Sequence, residues 1–139
     1  MKIIEEKNKK PQTVTIGFRT SPTYKNYLEN WSKSCGWSVS ELLNNWLRRA
    51  IHSDISDRAR KHAHEITAPL FDVNPKMAIT IESRNDWKKL RELLGDEKYE
   101  AYNKKWWEVM NDKADEIADS EGFVWNYDTP TGLIADNEN

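Results

Sequence analysis

Between Thr13 and Arg19 the chain alternates in polarity: Val14, Ile16 and Phe18 are apolar, and Thr13, Thr15, Gly17 and Arg19 lie between them. A period of two rich in β-branched residues predicts a half-buried strand. The period then lengthens. Ser21 before Pro22 marks a helix start, and Tyr24, Tyr27, Leu28, Trp31 and Cys35 recur on one helical face up to Gly36. A second start follows at Ser38, with Glu41 placed for a capping box, and Leu42, Leu43, Trp46, Leu47, Ala50 and Ile51 form its stripe. Arg48 and Arg49 stand near its C-terminal end, where the helix dipole favours cations.

A lone strand cannot satisfy its own backbone hydrogen bonds, and two helices of this length cannot close a core around it. The segment therefore asks for a second copy of itself. Beyond Ile51 the pattern loosens. Residues 54–66 predict a further helix, and Pro69 and Pro75 bracket a loop. Residues 76–82 predict a short strand, 84–94 a helix with Trp87, Leu90 and Leu94 on one face, and 96–120 a long helix. The stripe of that long helix is Tyr99, Tyr102, Trp106, Val109, Met110 and Ile117, and Gly122 stops it. Residues 123–128 predict a third strand, and 129–139 an acidic tail. The domain reading is a flexible basic arm over 1–11, a first domain over 12–53, a linker helix and loop over 54–75, and an acidic, Trp-rich region over 76–139.

Composition sharpens this division. Hydrophobic residues make up 37% of the 139, which is lean for a core, and seven Trp and five Tyr offset part of the deficit. Residues 1–61 carry 12 Lys/Arg against 6 Asp/Glu, a net +6, and residues 62–139 carry 9 against 17, a net −8. A basic half suited to an anion is thus joined to an acidic half. A single Cys excludes an intrachain disulfide and suits a reducing compartment. No apolar run reaches the length of a membrane span and MKIIEEKNKK has no signal-peptide core, so the expected location is the cytoplasm.

The residues of 13–51, taken in order, resemble the ribbon-helix-helix family of phage, plasmid and antitoxin repressors. The likeness rests on the strand phasing, the Ser21-Pro22 start, Leu28, the Gly36 break and the run Ser38-Val39-Ser40-Glu41-Leu42. It covers under a third of the chain. The resemblance implies a mainly α fold with short β, in which two copies intertwine, pair their strands antiparallel and enter the major groove of double-stranded DNA. The C-terminal region is then a helical α+β extension. Thr15, Gly17 and Arg19 become the residues facing the bases, with Arg19 the strongest reader because a guanidinium can bond two guanine acceptors at once. Gly17, with no side chain, and Thr20, where the family has an apolar residue, depart from its pattern. Phosphate contacts fall to Lys7, Lys9 and Lys10 and to Ser38, Val39 and Ser40 at a helix N-terminus.

Elsewhere no dinucleotide loop, phosphate loop or nucleophile elbow appears. His62 and His64 are two residues apart, a spacing that puts them on different faces of a helix, and they read as surface residues rather than metal ligands. The carboxylates of 82–121 read as solvated helix faces. The expectation is a protein that is not an enzyme and needs no metal or cofactor. Trp87, Trp106, Trp107, Trp125 and Tyr127 are too many for a disordered tail, and read as a small core more readily than as a partner surface. On the partner reading, Trp106, Trp107, Trp125 and Tyr127 would make the contacts. The leading function is a dimeric transcriptional repressor or autoregulator. The alternatives are an antitoxin whose acidic aromatic C-terminal region binds its toxin, and a plasmid relaxosome accessory protein.

Overall fold

A computed structural model describes residues 14–125 and the backbone of residues 4–6. Its elements are β1 (Ile4–Glu6), α1 (Pro22–Cys35), α2 (Val39–Thr67), a single 3-10 turn (Ala68–Phe71), α3 (Pro75–Ala78), α4 (Arg84–Leu94), α5 (Asp96–Ser120) and β2 (Phe123–Trp125).

Local chemistry sets most of these boundaries. The Ser21 hydroxyl accepts from Tyr24 N–H at 3.3 Å, Pro22 supplies a preset φ at the first helical position, and Gly36 closes α1 at φ 76°. Ser38 and Glu41 open α2 reciprocally: Glu41 N–H donates to the Ser38 hydroxyl at 3.1 Å, and Ser38 N–H donates to the Glu41 carboxylate at 3.2 Å. Ser83 and Asp86 repeat the device at α4, with both bonds at 3.1 Å. The backbone N–H groups of Ser83 and Glu82 that point at the Asp86 carboxyl lower its pKa.

The core is the contact between α2 and α5. These helices run antiparallel, since His52 stacks on Trp125, Arg58 meets Glu121 at 2.9 Å, and His64 meets Tyr102 at 2.8 Å. Ile55, Ala59 and Ala63 of α2 and Tyr102, Trp106, Met110, Ala114 and Ala118 of α5 are all buried in one cluster. Each set repeats every four residues, the spacing that keeps side chains on one helical face. Alanines on both helices leave room for the backbones to come close. Val73, Ala78, Ile81 and Leu90 close the cluster from the loop, α3 and α4.

Several expectations are corrected. The intertwined ribbon-helix-helix with an α+β extension is overturned: residues 14–20 form neither strand nor helix. All seven are exposed, and no strand among the described residues pairs with them. Among the described residues the one ladder is antiparallel, pairing Ile4 with Trp125, Glu5 with Val124 and Glu6 with Phe123. One of its strands thus comes from the stretch expected to be a mobile arm. The expected break near residue 53 is absent, because nothing between Ser38 and Ala68 is a Gly or Pro, and α2 runs unbroken for 29 residues. Residues 76–82 are not a strand. Asn74 caps Pro75, accepting from Lys76 N–H at 2.9 Å, and a short helix with a following turn results.

Candidate functional site

The N-terminal surface is built from residues that the other described residues leave uncovered. α1 buries no side chain at all. Val14 is 85% exposed and Tyr24 67%, and Ile16, Phe18, Tyr27, Trp31, Trp37, Trp46 and Leu47 are exposed as well. The two helices share this face: Trp31 lies 5.1 Å from Trp46 and meets Tyr27 edge-on at 5.8 Å. A contiguous apolar patch across α1 and the start of α2 exceeds what scattered surface hydrophobes produce.

Most of the described residues expected to meet DNA are also exposed. Thr15, Gly17 and Arg19 are exposed on the irregular segment before α1. Gly17 has nothing within 4 Å of where a Cβ would stand, so its backbone is open to close approach. Ser38 is occupied as the N-cap, Val39 is half-buried, and Ser40 is exposed. Lys7, Lys9 and Lys10 lie outside the described residues.

The residues expected to contact a partner separate. Trp106 and Trp125 are both 3% exposed and pack inside the chain, while Trp107 is half-buried. Tyr127 lies outside the described residues.

A second site was missed by sequence reasoning. His64, expected at the surface, is 1% exposed. It sits among Trp87 (5.2 Å), Trp106 (5.2 Å) and Tyr102 (6.0 Å), measured between ring centroids. Its Nδ1 is 2.8 Å from the Tyr102 hydroxyl. Burial lowers the imidazole pKa from 6.5 to about 4 and pushes the Tyr102 phenol up to about 12, so both are neutral at pH 7. Hydrogen-bond economy assigns the proton. If Tyr102 donates to Nδ1, only the Nε2–H lacks a partner; the reverse leaves both the phenolic hydrogen and the Nε2 lone pair without one. The Trp106 indole N–H is likewise buried without an acceptor.

His64, Trp87 and Trp106 line a cavity of about 620 Å³ between α2, the stretch Ile79–Glu82, α4 and α5. Its residues are contributed by four separate parts of the chain, and no local spacing announces them. The only available signal was the clustering of Trp87, Tyr99, Trp106 and Trp107 within 21 positions. No group of His, Cys, Asp and Glu able to hold a metal ion occurs among the described residues. Nor is any described helix long and apolar enough to cross a membrane. No protein-family model, curated protein or solved structure matches this chain.

Proposed function

We propose that this chain is a non-enzymatic cytoplasmic regulator that binds double-stranded DNA as a homodimer through residues 14–47. The observation that carries this reading is the uncovered apolar face of α1 and the start of α2, set on the half of the chain with the basic excess. A second copy is the natural cover, because it presents the same rings and places two basic segments side by side. A duplex then satisfies the charge, and the likeness of residues 13–51 to DNA-binding repressors points to the same polymer.

Arg19 is the reader in this proposal, with Thr15 beside it and the Gly17 backbone free to approach the bases. Ser38, Val39 and Ser40 offer the positive end of α2 to a phosphate. Capture of a protein through Trp106 or Trp125 is disfavoured, because using either ring would require opening the α2–α5 core that holds it.

The test is selection of bound duplexes from a random pool, followed by gel-shift at fixed salt. A recurrent short inverted repeat is expected, and Arg19→Ala should weaken its binding by roughly 1–3 kcal/mol while relaxing preference at one position. Recovery of no common sequence, with equal affinity of Arg19→Ala and parent for any duplex, would contradict the proposal.

A further inference from the structure

The cavity behind α4 is not used by the DNA-binding proposal. Its aromatic walls stand at steep angles to one another. Trp87 and Trp107 each meet Trp106 edge-on, at 5.0 Å with interplanar angles of 81° and 85°. Tyr99 extends the wall, meeting Trp87 at 6.3 Å and 78°. Trp87, Tyr99 and Trp107 are half-buried, so part of each ring remains open. Such a slot suits a planar apolar ring, and by its rings alone it would equally suit an alkylammonium.

The polar groups decide between these guests. Three cations line the cavity, Arg60, Lys61 and Arg84, against two carboxylates, Asp57 and Glu82. None of the three cations has an ion-pair partner among the described residues. This excess of cations without carboxylate partners favours an anion.

We propose that this cavity is a binding site for a planar aromatic anion, its ring held between the Trp87 and Trp107 walls and its acidic group directed to Arg60 and Arg84. The guest combines an apolar body with one negative group, the usual division of labour in small-molecule sites. This site is independent of DNA binding, and its test needs no DNA.

The test uses the full chain and three probes that share a ring and differ in charge: naphthoate, naphthylmethanol and naphthylmethylammonium. Heteronuclear NMR follows the indole N–H signals. Naphthoate should shift the signals of Trp87, Trp106 and Trp107 saturably, and bind at least about tenfold more tightly than the ammonium probe. Replacing Arg60 and Arg84 together with Gln should weaken naphthoate by about tenfold and leave naphthylmethanol unchanged. Trp107→Leu, a milder change on a half-buried ring, should weaken all three probes. The proposal is overturned by naphthoate that never saturates, by an ammonium probe that binds as tightly, or by unchanged naphthoate affinity in the Arg60→Gln, Arg84→Gln protein.

Discussion

Residues 51–125 and residues 14–47 are both rich in aromatic rings, yet they use them in opposite ways. The C-terminal body packs Tyr102, Trp106 and Trp125 against α2 and leaves few large rings open. The N-terminal segment holds Tyr24, Tyr27, Trp31, Trp37 and Trp46 on its surface, and of its large apolar residues only Leu42 is buried. One half closes its own core, whereas the other leaves its apolar face uncovered. Aromatic content alone therefore does not tell a core from a contact surface. What separates the halves is an opposing helix at the right distance along the chain, which α5 supplies to α2 and no described element supplies to the outer face of α1.

The comparison breaks most visibly at Trp106. Trp106→Ala removes the ring that touches His64, Trp87 and Trp107, and should cost about 3–5 kcal/mol in urea unfolding. A loss no larger than that of an exposed ring such as Trp37→Ala would mean that the body is not organised around α5.

A pH titration sharpens the same point. His64 is neutral in the folded body down to about pH 4, whereas in the unfolded chain it takes up a proton below about 6.5. The unfolded state then binds more protons, so stability falls as pH drops from 6.5 to about 4. The expected loss is roughly 2 kcal/mol. His64→Gln should flatten that portion of the stability profile. An unchanged slope in this variant would place the ring in water.

A smaller effect is expected at the start of α2. Ser38→Ala removes one side of the capping box and should cost about 1 kcal/mol of helix stability. The change should appear in hydrogen exchange near residues 39–42 and leave the α2–α5 core untouched. Spread of the effect into α5 would show that the two regions unfold as one.

The sequence announced most helices because their ends are chemical: Ser21-Pro22 and Gly36, Ser38 with Glu41, and Gly95 after Leu94. The same kind of signal, Asn74 before Pro75, opens a short helix where residues 76–82 predict a strand. The continuity of α2 was hidden because its inner face holds Ala59, Ala63, Ser56, His64 and Thr67, which break the apolar pattern although all are buried. Pairing of Ile4–Glu6 with Phe123–Trp125 joins opposite ends of the chain, and no local pattern encodes it. His64 belongs to the same class: its burial depends on Tyr102, 38 positions away. The cavity was illegible for that reason too. Thr15, Gly17 and Arg19 are legible as an outward set, but the strand expected to carry them does not form, since residues 14–20 find no ladder partner among the described residues.

The most direct test of the central claim is sedimentation equilibrium of the full chain, beside a variant in which Tyr27 and Trp31 are both replaced by Ser. The parent should sediment at twice the 16.4 kDa of one chain, and the variant as a folded monomer with an unchanged α2–α5 body. A parent that stays monomeric at every concentration, or a variant that dimerises as readily as the parent, would contradict the account.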